Sequence, residues 1–328
     1  MFENNAILKV SDLKTSFFTH RGEVKAVNGV NFELRHGECL CLVGESGCGK
    51  SVTVLSILGL IDNPPGKVLG GEANYKGLNL LKSSSEVLRK IRGQKIAMIF
   101  QDAQSALNPV FTVGDQIIEQ IQTHQILSKN KAQIKAIALL TEMGIPSAES
   151  AANRYPHQLS GGMRQRAMIA MGLSCNPDVL IADEPTTAVD VTIRAQILAL
   201  FKKLQTDRKM SLLFITHDLG VVSEIGNRAV IMYAGKNVET APVSEIIDNP
   251  KHPYTVGLLH CLPDFAYETE RLISIPGKTP DPVNLPSGCL FHPRCPQVMD
   301  ICKMLYPEEI RVDGEHIVSC HLFGKEHE

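Results

Sequence analysis

The sequence has no apolar run of the roughly 18 to 20 residues that a bilayer-spanning helix needs, so none of its segments reads as a membrane anchor. The opening residues, MFENNAILKV, lack both a basic flank and a small-residue cleavage site, so the expectation is a cytoplasmic protein without a secretory leader. Charge of one sign is also lacking. Thirty-three Lys and Arg face 35 Asp and Glu, a formal net charge of −2, which provides no basic footprint for nucleic acid. No internal repeat and no low-complexity tract is found. What remains, 328 residues of which 44% are hydrophobic and 21% charged, suits a globular protein of more than one domain.

Against that background three motifs carry chemistry. Gly44-Glu45-Ser46-Gly47-Cys48-Gly49-Lys50-Ser51 fits the phosphate-loop pattern G-x-x-x-x-G-K-[ST] and follows an apolar run, 38–43, that reads as a buried strand. Its glycines let backbone N–H groups wrap a β-phosphate, with the positive end of the following helix aimed at the same anion. Lys50 is expected to reach the β- and γ-phosphates of ATP, and Ser51 to bind Mg²⁺. Downstream, DVLIADE (178–184) reads as a buried strand that stops at two acids. Asp183 fits a Mg²⁺-holding carboxylate, and Glu184 a general base that polarises the attacking water. Between these lies LSGGMRQR (159–166), in which Ser160 caps a helical pattern whose first residues, Gly161 and Gly162, leave its N-terminus uncovered. Such a helix end attracts an anion. The chain already has a phosphate site at Lys50, so the economical expectation is a dimer in which Ser160, Gly161 and Gly162 contact the γ-phosphate held by the other subunit.

With these motifs in this order, the chain resembles the ATP-binding cassette (ABC) family. The resemblance implies that Gln101, after the strand-like run 95–100, is the Q-loop glutamine, which touches Mg²⁺ and relays to membrane subunits. Thr187-Ala188-Val189-Asp190 matches the D-loop, with Val189 in place of the more usual Leu, and His217, after the apolar run 212–216, matches the histidine that contacts the γ-phosphate. The family stacks adenine on an aromatic ring ahead of the phosphate loop. Phe17 fits that place better than its neighbour Phe18 when counted back from the alternating run 24–34.

The implied fold class is α/β: a phosphate-loop NTPase core with a mostly parallel sheet, an antiparallel β subdomain near the N-terminus, and a helical subdomain at about 102–166. Apolar recurrence at three and four positions predicts helices over 113–125 and 131–143, stopped at Gly144-Ile145-Pro146. The nucleotide-binding domain is expected over 1–250 and a Pro- and Cys-rich extension over 251–328. Nine prolines, Pro250, Pro253, Pro263, Pro276, Pro280, Pro282, Pro286, Pro293 and Pro296, predict that the extension holds neither regular helix nor central strand.

Cys289, Cys295, Cys302 and Cys320 lie in this extension with C-x₅-C-x₆-C-x₁₇-C spacing. A cytosolic setting argues against disulfides. Zinc sites favour a shorter pair, although His292 and His321 lie close enough to be spare ligands, and wider spacing suits a cluster. The residues alone leave structural thiols, zinc and an iron–sulfur cluster open. His252-Pro253-Tyr254-Thr255, Ile275-Pro276-Gly277 and PSGCLFHPRCP (286–296) resemble the C-terminal extension of oligopeptide and dipeptide importer ATPases, some of which bind a [4Fe–4S] cluster on four such cysteines.

That likeness implies a subunit paired with a second, different ATPase, two transmembrane permeases and an extracellular peptide-binding protein, lying at the cytoplasmic face of the membrane. QDAQSALNP (101–109) is then expected to receive a short helix of a permease. Two rival readings stand beside this one. A DNA-maintenance ABC ATPase would carry a long coiled-coil insertion, for which the distance from Gly44 to Ser160 is too short, whereas a related importer for nickel or another small solute would share every motif.

Overall fold

The structure, a computed structural model, describes residues 6–102, 106–187, 189–262 and 274–324. The chain forms two units, one made of Met1–Ile7, Arg35–Glu38 and Ser83–Ile215, the other of Leu8–Leu34, Cys39–Lys82 and Thr216–Glu328.

In the first unit, strands Ile96–Ile99, Val179–Asp183 and Ser211–Thr216 lie parallel, with Ile96 opposite Val179 and Asp183 opposite Ile215. Every residue of the latter two strands is buried, which is why they read as unbroken apolar runs instead of alternating ones. Helices follow where the periodicity predicts them. Val113–His124 is capped by Thr112, whose hydroxyl accepts from the Asp115 N–H at 3.2 Å. Lys129–Glu142 buries Ala132, Ala136, Leu139 and Leu140 along one face and stops before Gly144, at φ +70°. It starts two residues earlier than its apolar pattern because Ser128, in extended backbone, opens it. Ala148–Ala152 and Gly161–Leu173 complete the helical set around the signature motif.

The second unit carries an antiparallel sheet in the order Gly22–Arg35, Ala6–Thr19, Gly66–Tyr75, Leu78–Asn79. Val30, Phe32 and Leu34 are buried as their alternation predicts, but further upstream Val27 is buried in place of Val24 and Ala26. The phase slips at Gly29, whose φ of +98° is open to glycine. Strand Cys39–Val43 runs parallel to Arg228–Tyr233, which pairs antiparallel with Lys236–Pro242.

The extension departs from its expectation at both ends. Pro253 opens a regular helix, Pro253–His260, at a position whose N–H has no intrahelical partner in any case. A second helix covers Asp300–Met304. Beyond it, strands Ile310–Asp313 and His316–Val318 form a hairpin that extends the sheet, with Val318 opposite Glu239. Among the described residues the stretch from Pro276 to Pro296 matches the expected irregularity, with one 3₁₀ turn at His292–Arg294; Pro263 lies outside the described residues. A buried acid secures the join. Glu239, 1% exposed, accepts the N–H groups of Lys251 and His252 at 2.7 and 3.0 Å, and lies 2.6 Å from His316 Nε2. Among the described residues no helix is long and apolar enough to cross a membrane.

Candidate active site

The phosphate loop takes its shape from its glycines. A Cβ on Gly44 would stand 2.2 Å from the Met232 carbonyl oxygen, and one on Gly49, at φ +103°, 2.3 Å from that of Ala26. Neither position admits a side chain. Gly47 differs, since φ is +82° but nothing lies within 4 Å of its absent Cβ, so backbone conformation alone requires glycine there and the exposed loop is left uncovered. Lys50 begins helix Lys50–Ile57 and donates to the Gly44 and Glu45 carbonyls at 2.7 and 3.1 Å. Its ammonium is therefore folded over the loop's own backbone, on a helix end suited to an anion. Ser51, half-buried, follows it, and Ser46 is exposed at the loop tip. Cys48 is buried, and burial pushes its thiol up, so it behaves as a packing group and not a nucleophile.

Two residues far away in sequence hold this loop, and the motif gave no sign of them. The Glu45 N–H donates to Tyr254 Oη at 2.9 Å, while Arg294 grips the Glu45 carboxylate with both terminal nitrogens. Of the two adenine-platform candidates, Phe17 is half-buried in its strand and abuts Gly66, whose Cβ would come 2.9 Å from its ring. Phe18 is 52% exposed and has the more open face. His217 is exposed directly after strand Ser211–Thr216, in the same unit as the phosphate loop.

The other unit brings together the two acids, Gln101 and the helix that follows Ser160. Asp183 is buried at its strand end. Glu184 follows in left-handed backbone at φ +44°, a conformation that costs a non-glycine residue on the order of 1 kcal/mol. Its Oε2 accepts from Gln101 Nε2 and Thr187 Oγ1, each at 3.0 Å. Ser160 caps helix Gly161–Leu173 as expected, its hydroxyl accepting from the Met163 N–H at 3.3 Å, and Gly161 has open space around it. Gly162 lies against Ile193, where a Cβ would come within 3.1 Å of that side chain. Gln165 donates to the Pro185 carbonyl at 2.7 Å and so fastens the signature helix to the turn after Glu184, a link that spacing did not reveal. Asp190 caps helix Val191–Arg208, its carboxylate accepting from the Ile193 N–H at 2.9 Å. Ala188, and residues 103–105 of QDAQSALNP, lie outside the described residues.

The four extension cysteines are all free thiols. Cys289 and Cys295 are half-buried, Cys302 and Cys320 buried. Cys320 feels the charge of Cys289, Cys295 and Cys302, Cys289 that of Cys302 and Cys295, and Cys295 that of Cys302. Burial first and that mutual repulsion second push Cys289 up to about 11 and Cys320 up to about 12. Among the described residues, no three His, Cys, Asp or Glu side chains converge as the ligands of one metal ion.

The ABC transporter family matches residues 27–187, and the C-terminal region of oligopeptide/dipeptide transporters matches residues 238–302. The chain is similar to the oligopeptide transport ATP-binding protein AppD of Bacillus subtilis, at 47% identity over 98% of both chains. It is likewise similar to the dipeptide transport ATP-binding protein DppD of the same organism, at 48% identity over 96% of this chain and 94% of that one. Among solved structures, the dimeric ATP-binding cassette MJ0796 in a post-hydrolysis state bound to ADP and Pi aligns with a TM-score of 0.65 and 27% identity, over 72% of this chain and 98% of that one.

Proposed function

This chain belongs to the ATP-binding proteins of the ABC oligopeptide and dipeptide transporters, and from that premise we propose that it hydrolyses ATP to power uptake of dipeptides or oligopeptides across the cytoplasmic membrane. The observation that carries this reading is likeness along the whole chain, which takes in the extension as well as the cassette. Peptide-named relatives favour that cargo over nickel or another small solute.

Residues 1–250 serve as the nucleotide-binding domain, with a helical subdomain at about 102–166, and 251–328 as the extension. The chain acts at the cytoplasmic face as one half of a nucleotide-sandwich dimer. Its companions are a second ATPase subunit, two permeases and an extracellular peptide-binding protein. Lys50 binds the β- and γ-phosphates of ATP. Ser51, Asp183 and Gln101 would hold Mg²⁺, an oxygen-donor set that suits a hard cation and supplies charge neutralisation at the phosphates. Glu184 is the general base, oriented by Gln101 and Thr187. His217 contacts the γ-phosphate, and Phe17, or its more open neighbour Phe18, stacks on adenine. The open, Ser160-capped helix end reaches the nucleotide of the opposing subunit, and Asp190 belongs to the same dimer face. Binding energy gained only in the closed dimer is what turns nucleotide into motion.

The four cysteines of the extension are free thiols, the ligand type that an iron–sulfur cluster takes. Cys289, Cys295, Cys302 and Cys320 would together hold a [4Fe–4S] cluster, which when bound supplies a covalent staple for a segment short of regular structure. The test of the function as a whole is ATP-dependent uptake of a labelled dipeptide by cells carrying this chain with its transporter partners, and its loss when the chain is removed.

A further inference from the structure

The phosphate loop contains a carboxylate, Glu45, one residue after its first glycine. In a loop that must hold a triphosphate, an unpaired negative charge there opposes binding. The structure neutralises it from 249 residues away. Arg294 Nη1 lies 2.7 Å from Glu45 Oε2 and Nη2 lies 3.0 Å from Oε1, a two-pronged ion pair whose arginine side chain is 5% exposed. The guanidinium is itself fixed from behind, with Nε donating to the Pro276 carbonyl at 2.9 Å and Nη1 to Tyr233 Oη at 3.3 Å. Tyr254 adds a second hold through the Glu45 N–H.

These anchors form one block. The rings of Tyr233, Tyr254 and Phe291 pack together at centroid distances of 4.7, 5.2 and 5.4 Å, and all three are fully buried. Phe291 and Arg294 both lie among the five residues between Cys289 and Cys295. The segment that carries two of the four cysteines is therefore the segment that grips the phosphate loop.

We infer that Arg294 is a positioning residue for the phosphate loop: by holding and neutralising Glu45 it sets the affinity of that loop for MgATP, and so makes nucleotide binding depend on the cysteine-bearing extension. The inference rests on the ATPase reading above and adds to it a role for the extension.

The test is the equilibrium affinity of the full-length chain for MgATP at low and high salt. Arg294→Met keeps the length and apolar packing of the stem but removes the charge. It is expected to weaken binding by about tenfold or more at low salt and by less at high salt, as a part-exposed, unpaired carboxylate left beside a polyphosphate requires. Adding Glu45→Gln to that variant is expected to restore affinity to within about threefold of wild type, because the repelling charge is then gone. A merely structural role for Arg294 would lower the melting temperature without this rescue. Glu45→Gln alone, at a part-exposed position, does not depend on the fold tolerating the loss of Arg294. It is expected to bind MgATP more tightly, by about two- to tenfold, since the loop then loses a negative charge while Arg294 keeps its positive one nearby. Wild-type affinity in Arg294→Met, no rescue in a double variant that melts like the single one, or equal or weaker binding by Glu45→Gln would each overturn the inference. Failure of the wild-type chain itself to bind MgATP would instead overturn the ATPase reading beneath it.

Discussion

Glu184 shows how much of the chemistry is settled one residue at a time. Its left-handed backbone is an unfavourable state for glutamate, and it persists because its own N–H donates to the Ile215 carbonyl while Gln101 and Thr187 both donate to its carboxylate. Glu184→Gln preserves that shape and removes only the proton-accepting charge. The variant is therefore expected to keep MgATP affinity, lose at least about a hundredfold in turnover, and trap the ATP-bound dimer with its partner subunit. Hydrolysis near the wild-type rate would refute Glu184 as the base. The shape of the phosphate loop was legible because it is a contiguous pattern whose glycines are dictated by backbone geometry. The contacts that hold Glu184 and Glu45 were not. Gln101 is 83 residues from Glu184, and Arg294 is 249 from Glu45, separations at which spacing carries no information.

At the scale of elements, what was local was readable and what was tertiary was not. Ser160 reads as a cap because the cap and its acceptor bond lie within four residues. The proline-rich extension misled because position within an element matters more than proline content: Pro253 is harmless at the first turn of its helix, and the final hairpin lies beyond Pro296. His252, which caps that helix, carries a testable consequence. It is 1% exposed, its Nδ1 accepts from the Tyr254 N–H at 3.0 Å, and burial pushes its imidazole down to about 4, partly offset by the nearby Glu239. A base with its folded pKa below its unfolded value takes up its proton more readily when unfolded, so its contribution is complete above pH 6.5 and is lost as pH falls toward 4. Between pH 7.5 and pH 5 this amounts to about 2 kcal/mol. Denaturant midpoints should fall accordingly in the wild type, and His252→Asn, which retains a capping acceptor, should flatten that portion of the curve. An equally steep loss in the variant would remove His252 as the cause.

For the molecule as a whole, two features set the account: an open, Ser160-capped helix end, and an extension that grips the phosphate loop. If the four cysteines hold a cluster, anaerobically purified protein is expected to be brown with about four irons per chain. Colourless protein loaded with zinc would overturn the cluster. The central claim, that this chain converts ATP into peptide uptake, is tested most directly by measuring ATP-driven uptake of a labelled dipeptide in cells that carry the complete transporter, with either wild-type chain or Glu184→Gln, and nickel uptake alongside. The expected result is dipeptide uptake with the wild type, its loss with Glu184→Gln, and nickel uptake the same in both. Dipeptide uptake that survives Glu184→Gln, or loss of nickel uptake in place of dipeptide uptake, would contradict it.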